Sequence, residues 1–569
     1  MVKIIFYDFE VFKYDWMVCW LDTKTRKLHS IVNDKVKLEK MYQYYKDEIY
    51  VGYNSRGYDQ WIYKSILCDF NPKDMNDWII LKERKGHEFS NLLNKFPILN
   101  YDCSVGFRGL KELEAFMGHD IRETSVPFDI DRRLTTQEIK DTIKYCKHDV
   151  METFQVFIET KQEYESHIGL IQEYNMPITN ITKTKAQLSA MILGAVKKNW
   201  HDEFDITLPD TLNLGKYQWI GDWYIDWSKN ERNYETMNLK TNVSGVPHTF
   251  GIGGLHGAKE KYYGTGFYLM ADVESYYPAM MIEYDFLSRN VINPKKYTQI
   301  RDERVVMKKA KDPRQQPRKI VLNSTYGASK DKYNNLYDPL QANNVCIAGQ
   351  LLLVDLLDKL DGKCELIQSN TDGILVKLFR PEDKDAIIAI CNEWSARTRM
   401  KLEFDEYSTV IQKDVNNYII MDKEGNVKRK GAYVKKLSNL DNDMPIVNKA
   451  IVDYLTKKIP VEKTIMECNT LIDFQKITKI SSKYEYGMHN GKVLHEKVHR
   501  CFASLDSRDG TLFKKHRNKT NLDKTGGTPI NCFIYNDNVL GKTVPTKLDK
   551  QWYIDVAKKR ISDFLGKNY

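Results

Sequence analysis

Short β-rich runs that stop on acidic residues recur along this sequence, and they restrict the chain to folds whose sheets present carboxylates at strand ends. Residues 3–7 (KIIFY) and 14–21 (YDWMVCWL) are two such runs about one tight turn apart, which predicts a hairpin with Asp8 and Glu10 at the end of its first strand. Residues 268–273 (YLMADV) read as a strand ending at Asp272. Residues 365–378 read as two strands around Asn370-Thr371-Asp372-Gly373, so that two strand-borne acids can meet. Between these runs, apolar residues at helical spacing over 135–158 place Tyr145 and Asp149 on one helix face, and this helix is expected to close the first domain. Residues 299–327 read as two charged helices broken by Pro313 and Pro317, with Gly327 as the helix stop.

With 569 residues, 42% of them hydrophobic and 29% charged, the chain can bury a large core and should divide into about three to five domains. No repeat or low-complexity tract is visible. There is no opening signal segment and no apolar run of the length a membrane helix needs, so a soluble cytoplasmic protein is expected. The ten cysteines are scattered singly without a Cys-x-x-Cys pair, which argues against zinc and redox motifs and for reduced thiols. The net charge of +9 is too small to indicate nucleic acid by itself. Basic clusters with neighbouring aromatics at 427–436 (VKRKGAYVKK) and 513–519 (FKKHRNK) suit either a nucleic-acid surface or solvated charge.

Asp8 and Glu10 share one side of a strand, and Asp59 and Asp149 supply two more acids. Four carboxylates suit two divalent cations about 3.5–4 Å apart, which can generate a hydroxide and stabilise the leaving oxygen of a phosphodiester. Tyr145, one turn before Asp149, could hold the attacking water; Asp8-Phe9-Glu10 alone also reads as surface acid. Taken with Asn54-Ser55-Arg56-Gly57-Tyr58-Asp59 and Tyr145-Cys146-Lys147-His148-Asp149, the set resembles the three exonuclease motifs of the proofreading domain of family B DNA polymerases. The resemblance implies that Asp8, Glu10, Asp59 and Asp149 are metal ligands and that Tyr145 orients the water. It further implies that Asn54 touches a frayed single strand, with Tyr53 and Tyr58 as further contacts. Val11 stands where many relatives have Thr, and the auxiliary lysine of some phage members has no evident counterpart.

Asp272-Val273-Glu274-Ser275-Tyr276-Tyr277-Pro278 resembles the polymerase motif Asp-x-x-Ser-Leu-Tyr-Pro of the same family, with Tyr276 in place of Leu. This implies metal binding at Asp272 and Val273, and a ring at Tyr277 that excludes a 2′-hydroxyl. Residues 319–327 (KIVLNSTYG) match Lys-x3-Asn-Ser-x-Tyr-Gly at every specified position. On a helix Lys319, Asn323 and Tyr326 line one face, so a cation can hold a triphosphate while Asn323, Tyr326 and Gly327 approach base and sugar. Arg304 and Lys308, four apart upstream, could reach the same phosphates or simply be solvated. Gln368-Ser369-Asn370-Thr371-Asp372-Gly373 takes the place of Tyr-x-Asp-Thr-Asp-Ser, in which Thr371 and Asp372 match. A carboxamide ligates a hard cation poorly, so Asn370 reads as lying outside the metal shell, with Asp272 and Asp372 forming a two-acid site. Gly251-Ile252-Gly253-Gly254 resembles the Tyr-x-Gly-Gly loop and would admit a template backbone closely. Lys430-Gly431-Ala432-Tyr433 resembles the Lys-x-Tyr primer-contact motif with one extra residue; both segments also read as surface loops.

The resemblance implies an α/β and α+β multidomain chain. Residues 1–165 would be an RNase H-like 3′-to-5′ exonuclease domain, followed by a right-hand polymerase with palm at 166–295 and 341–430, fingers at 296–340, and thumb with C-terminal region at 431–569. It implies two Mg²⁺ per active site, with Mn²⁺ as a substitute. The implied partners are primer–template DNA, single-stranded DNA and dNTPs, with no membrane, for a monomer open to replication accessory proteins. The compactness resembles phage-encoded members, which would place the enzyme in a bacterial host cytoplasm. Short intervals from Asp272 to Lys319 and from Asn323 to Asp372 leave no room for an added subdomain, so extension of a nucleic-acid 3′-hydroxyl with poor unaided strand displacement is expected. Two rival readings remain: a stand-alone exonuclease with an inert C-terminal half, and a single-strand-binding replication protein built on the basic clusters.

Overall fold

In the computed structural model, which describes residues 3–566, the first apolar run becomes β1 (Ile4–Val11), buried at most of its positions. It pairs antiparallel with β2 (Trp16–Asp22), and β2 with β3 (Lys27–Val32). On its other side β4 (Ile49–Gly52) and β5 (Asn100–Asp102) add in parallel, giving the order β3-β2-β1-β4-β5. A strand covered on both faces reads as continuous apolar sequence rather than as an alternation, which is why this run was legible. The expected hairpin is present, but Asp8 and Glu10 lie inside β1 rather than at its end, because the ladder continues from Asp8↔Cys19 to Val11↔Trp16.

Three helices matter for function here: α1 (Asp59–Leu67), α2 (Leu110–Met117) and α3 (Thr136–Glu159). The predicted helix over 135–158 is α3, displaced by one residue because Thr135 is its cap. The Thr135 side chain accepts from Glu138 N, and Glu138 returns the bond to Thr135 N, a capping box that satisfies two otherwise orphaned donors. Arg132 holds the same Glu138 carboxylate at 2.8 Å. The helix lies on the sheet through Phe154 and Phe157, each meeting Phe6 edge-on with ring centroids 5.2 Å apart.

This helix does not close the unit, as had been expected. The compact unit containing the first sheet runs on to residue 183 and also takes in 437–450 and 459–556. The second unit comprises 184–436, 451–458 and the residues from 557. Its core is a nine-stranded antiparallel sheet of β6 (Leu239–Val243), β7 (Val246–Phe250), β8 (Leu255–Ala258), β9 (Tyr262–Val273), β10 (Cys364–Thr371), β11 (Gly373–Leu378), β12 (Leu402–Asp414), β13 (Asn417–Met421) and β14 (Val427–Lys430). The spatial order is β14-β13-β12-β9-β11-β10-β8-β7-β6. β9 is longer than the predicted 268–273: its first half alternates between exposed and half-buried, and only the second half is continuously apolar.

Four helices of the second unit complete the picture: α4 (Tyr276–Glu283), α5 (Pro294–Lys309), α6 (Gln315–Ser329) and α7 (Pro339–Leu360). Pro313 sits in the break between α5 and α6, as expected. Pro317 does not break the helix; it is the third residue of α6, where a missing N–H costs nothing because the first turn has no intrahelical acceptors. Nor is Gly327 a stop, since α6 continues to Ser329. α7 is long and apolar enough by composition to cross a membrane, with an 18-residue window of mean hydropathy 1.3, yet 94% of that window is buried inside the protein. Returning to the first unit, the C-terminal third forms β15 (Lys476–Lys479), β16 (Tyr484–His489), β17 (Lys492–Leu494), β18 (Val498–Ala503), β19 (Leu512–His516), β20 (Leu522–Lys524) and β21 (Cys532–Ile534). They make two small sheets, β15-β18-β21 and β17-β16-β19-β20.

Replacing Thr135 with alanine removes the α3 cap, and the expected cost is about 1 kcal/mol. A urea melt of Thr135→Ala should show a lower midpoint with an unchanged slope; an unshifted midpoint would mean that the cap contributes nothing.

Candidate active sites

In the first unit the pleat of β1 turns Asp8 and Glu10 to the same side, toward α3. One ligand atom from each of Asp8, Glu10 and Cys146 lies within 4.8 Å of the others, and the Cys146 thiol is 3.5 Å from Asp8 Oδ2. Asp59 opens α1, where the positive end of the helix favours an anion, and it accepts a 3.0 Å bond from Phe9 N. Asp149 comes from α3, one turn beyond Tyr145.

These acids share one field. Burial, followed by the charges of Asp59 and Glu10, pushes the Asp8 carboxyl well above its ordinary range, and burial with Asp149 does the same to Glu10. Burial raises Asp59 to about 7 and Asp149 to about 6. All four acids expected from the sequence are therefore gathered in one place, as is Tyr145, whose hydroxyl is likewise held in its protonated form by burial and by Asp149 and Glu10.

One side chain bonded to these acids was not singled out by the sequence. Lys111, on the first turn of α2, bonds Asp149 at 2.5 Å and Glu114 at 2.9 Å, with its ammonium 4.6 Å from the centre of the Tyr145 ring. Glu114 is fully buried and also faces His148 Nε2 at 3.5 Å. The available signal was the Lys111–Glu114 spacing of three on a helix whose other residues, Glu112 apart, are apolar, which invites a buried pair. The strand-contact candidates sit together in the turn before α1. Asn54 is exposed, with φ +56, and its backbone N–H donates to Asp102. The hydroxyls of Tyr53 and Tyr58 are already engaged by Arg108 O and Asn76.

In the second unit the strand register makes the site. Asp272, next to last in β9, lies opposite Gly373 of β11, so Asp372 is delivered beside it. A Cβ on residue 373 would fall 1.8 Å from Asp272 Oδ1, which restricts that position to glycine. The turn is tight: Asp372 N donates to Asn370 O at 2.8 Å around Thr371, which holds φ +64, a strained value for a β-branched residue. Val273 N donates to Asp372 O at 2.8 Å, tying the end of β9 to the same turn. Asn370 turns its amide to Val415 O at 3.3 Å.

A cavity of about 280 Å³ opens over the two acids, lined also by Asn370, Tyr418, Lys428 and Lys430. Burial and then Asp372 raise Asp272 to about 6, and burial raises Asp372, while Lys428 and Lys430 pull in the opposite direction. Lys430 was expected here and Lys428 was not; their spacing of two on β14, which places both on one face, was the overlooked signal. Tyr277 stacks on Tyr326 with centroids 4.1 Å apart and planes 12° apart, and burial raises the Tyr277 hydroxyl to about 12, with a contribution from Asp372. Tyr326 also meets Cys346 Sγ of α7 at 2.6 Å.

Lys319 and Asn323 are exposed on α6; Tyr326, predicted to share their face, is half-buried against Tyr277, and Gly327 beside it is exposed. Arg304 and Lys308 point from α5 to Ser275 Oγ (3.0 Å) and Glu403 (3.4 Å), the latter paired across the strands from Asp272. Tyr433 lies between Lys413 and Arg560, whose charged groups are 5.8 and 4.8 Å from its ring centre. The 251–254 loop is held by Gln350, whose amide donates to Gly251 O and Gly253 O at 2.7 and 2.9 Å.

Both acid sets offer hard oxygen donors, and in the first the four acids outnumber the cation bonded to them, Lys111, which fits a divalent cation such as Mg²⁺. Because a buried acid with a raised pKa favours its protonated form, its burial costs stability above that pKa and little near pH 4. Asp59→Asn should therefore stabilise the protein in chelator at pH 8 by about 1–3 kcal/mol and have little effect at pH 4, the gain building steadily as pH rises from there toward about 7. Unfolding midpoints of the two proteins across that range give the answer; a pH-independent difference would mean that Asp59 is not held against its charge.

Comparison with known proteins adds little. No protein-family profile matches the chain, and no curated protein matches it. Among solved structures it is similar to the family B DNA polymerase from the hyperthermophilic archaeon Pyrobaculum calidifontis, with a TM-score of 0.42 and 13% identity over 99% of this chain and 78% of that one.

Proposed function

We propose that this chain is a DNA-templated DNA polymerase of the family B type with its own 3′-to-5′ proofreading exonuclease. The observation that carries this reading is the existence of two carboxylate sets, one in each compact unit: Asp8, Glu10, Asp59 and Asp149 in the first, Asp272 and Asp372 in the second. One fold devoting separate scaffolds to two oxygen-donor sites suits a phosphoryl-transfer reaction and its reversal by hydrolysis.

The residues that would hold Mg²⁺ are those six acids, with Val273 beside Asp272. Bound there, pairs of ions would supply the charge that favours the attacking oxygen's ionised form and steadies the leaving oxygen. In the first unit Tyr145 orients the attacking water, Lys111 offsets phosphate charge, and Asn54 takes the frayed strand. In the second unit Lys319, with Arg304 and Lys308, holds the triphosphate. Asn323, Tyr326 and Gly327 face the nascent pair, Tyr277 fills the space of a 2′-hydroxyl, and Lys430 and Tyr433 hold the primer end. Asn370 stays outside the metal shell, in keeping with its bond to Val415 O.

Residues 1–165 act as the exonuclease, 166–295 and 341–430 as palm, 296–340 as fingers and the remainder as thumb. The enzyme extends a nucleic-acid 3′-hydroxyl, since the short intervals from Asp272 to Lys319 and from Asn323 to Asp372 leave no room for an added subdomain. Its partners are primer–template, single strand and dNTPs, and it works in a host cytoplasm.

Primer extension with and without Mg²⁺ is the direct test; no dNTP incorporation would overturn the polymerase reading. Asp272→Ala or Asp372→Ala should abolish nucleotide addition and spare single-strand digestion, whereas Asp8→Ala with Glu10→Ala should do the reverse. Loss of both activities in either variant would contradict two independent sites. Tyr277→Val should raise the rNTP-to-dNTP incorporation ratio by at least about tenfold, corresponding to about 1.4 kcal/mol of lost discrimination; an unchanged ratio would move the sugar gate elsewhere.

A further inference from the structure

Arg500, on β18, is fully buried and serves no carboxylate. Its five acceptors are all neutral: Gln475 Oε1 (2.9 Å), Ala115 O (2.9 Å), His119 O (2.9 Å), Asp537 O (2.8 Å) and Tyr535 O (3.4 Å). A buried guanidinium without an anionic partner is costly unless something else supplies negative potential. That something is α2. The helix ends at Met117, Gly118 closes it in the left-handed region at φ +80, and Arg500 donates to Ala115 O in its last turn and to His119 O just past the cap, where the helix dipole concentrates partial negative charge. Gln475, also fully buried, adds a 3.0 Å bond to the next carbonyl, Phe116 O. Val539 N and Ile121 N continue the attachment through Gly118 O and Asn536 O.

The other end of α2 carries Lys111 and Glu114, the pair that meets Asp149 and His148. His119, whose carbonyl Arg500 holds, gives its ring nitrogen to Glu152 of α3 at 2.7 Å, one turn beyond Asp149. A single cation from the C-terminal third thus grips the helix that bears Lys111 and touches the residue that fastens α2 to α3.

We propose that Arg500 is a positioning residue for the exonuclease site, acting through α2 to hold Lys111 against Asp149 and Tyr145. Nothing in the 498–503 sequence (VHRCFA) marks it as functional. Its role is mechanical: α2 is only eight residues long, too short to be stable alone, so its axial position is set by what grips its ends. This inference rests on the proposed exonuclease activity.

The test compares Arg500→Met, Lys111→Met and the double variant in the full chain. Arg500→Met should lower the exonuclease kcat at least tenfold, leave KM for single-stranded DNA within threefold, and leave extension of a matched primer within threefold of wild type. Amides of α2 should exchange hydrogen at least tenfold faster while those of β1 stay protected. In the Lys111→Met background, Arg500→Met should add no further loss, because both act on the same contact. Arg500→Lys, which keeps the charge and some of the bonds, should recover part of the rate.

If Arg500→Met does not fold, Gln475→Leu carries the same comparison. Equal losses in digestion and synthesis, or losses that multiply with Lys111→Met, would reduce Arg500 to a general stabiliser and overturn the proposal. A wild-type chain that digests no single strand would overturn the proposed exonuclease and this inference with it. Normal wild-type digestion with an unaffected Arg500→Met would overturn this inference alone.

Discussion

Repulsion between carboxylates is the constraint around which the first unit is built. Two such charges about 4 Å apart cost on the order of a few kcal/mol even when partly screened, and here Asp8, Glu10, Asp59 and Asp149 raise one another's pKa. Nothing flexible could hold them together. Asp8 and Glu10 are fixed by a strand buried on both faces, Asp59 by a helix N-terminus and the Phe9 amide, and Asp149 by a capped 24-residue helix packed on the same strand. Among the described residues Lys111 is the cation bonded to this set, half-buried and shared with Glu114.

The second unit solves a smaller version of the problem differently. Its two acids come from adjacent strands of one sheet, so a single register, Asp272↔Gly373, sets their separation. The local cost appears in the backbone, at a glycine that admits no side chain and a threonine in the left-handed region. Strain of this kind persists only where surrounding structure over-determines it. Here the surroundings are the ladder on both sides, the Val273 amide, and the contact of Gly254 with Thr371. Counter-charge comes from the edge strand β14 through Lys428 and Lys430, whose long side chains can withdraw when a cation or a phosphate arrives.

Much of this was legible before the structure, and the legible part has a common physical origin. Asp8, Glu10, Asp149 and Asp272 sit on strongly patterned elements, where period and spacing fix the side-chain direction, and Asp372 lies in the turn that Asn370-Thr371-Asp372-Gly373 marked between β10 and β11. Helical spacing likewise put Lys319, Asn323 and Tyr326 on one helix, α6, where the first two are exposed and the third is half-buried. What escaped depends on contacts distant in sequence. Lys111 is anonymous until α2 meets α3, and Arg500 until β18 meets α2. Proline and glycine misled where position outweighs identity: Pro317 falls in a first turn that tolerates it, and Gly327 lies within a helix that runs past it. The full length of β9 was hidden because its solvent-facing half alternates. α7 was passed over because Asn343, Asn344, Gln350 and Asp355 interrupt an otherwise apolar stretch; buried, these polar groups find partners such as Arg397 for Asp355.

The return of the C-terminal third to the first unit also bears on how the chain is made. Ala115 O waits for Arg500, 385 residues downstream. At a synthesis rate of about 5–20 residues per second, the interval is roughly 20–80 s. During that time the first sheet and α3 can assemble on the ribosome, but α2 lacks the groups that grip its C-terminal end, and the apolar cluster around Leu113 and Phe116 lacks Leu440, Ile477 and Val498, three of its nine buried members. The nascent chain therefore carries an exposed apolar edge through the entire translation of the second unit. The attachment of α2 is consequently completed late, once Arg500 and the residues beyond it have been made, while the last segment of the second unit, from 557, is made later still.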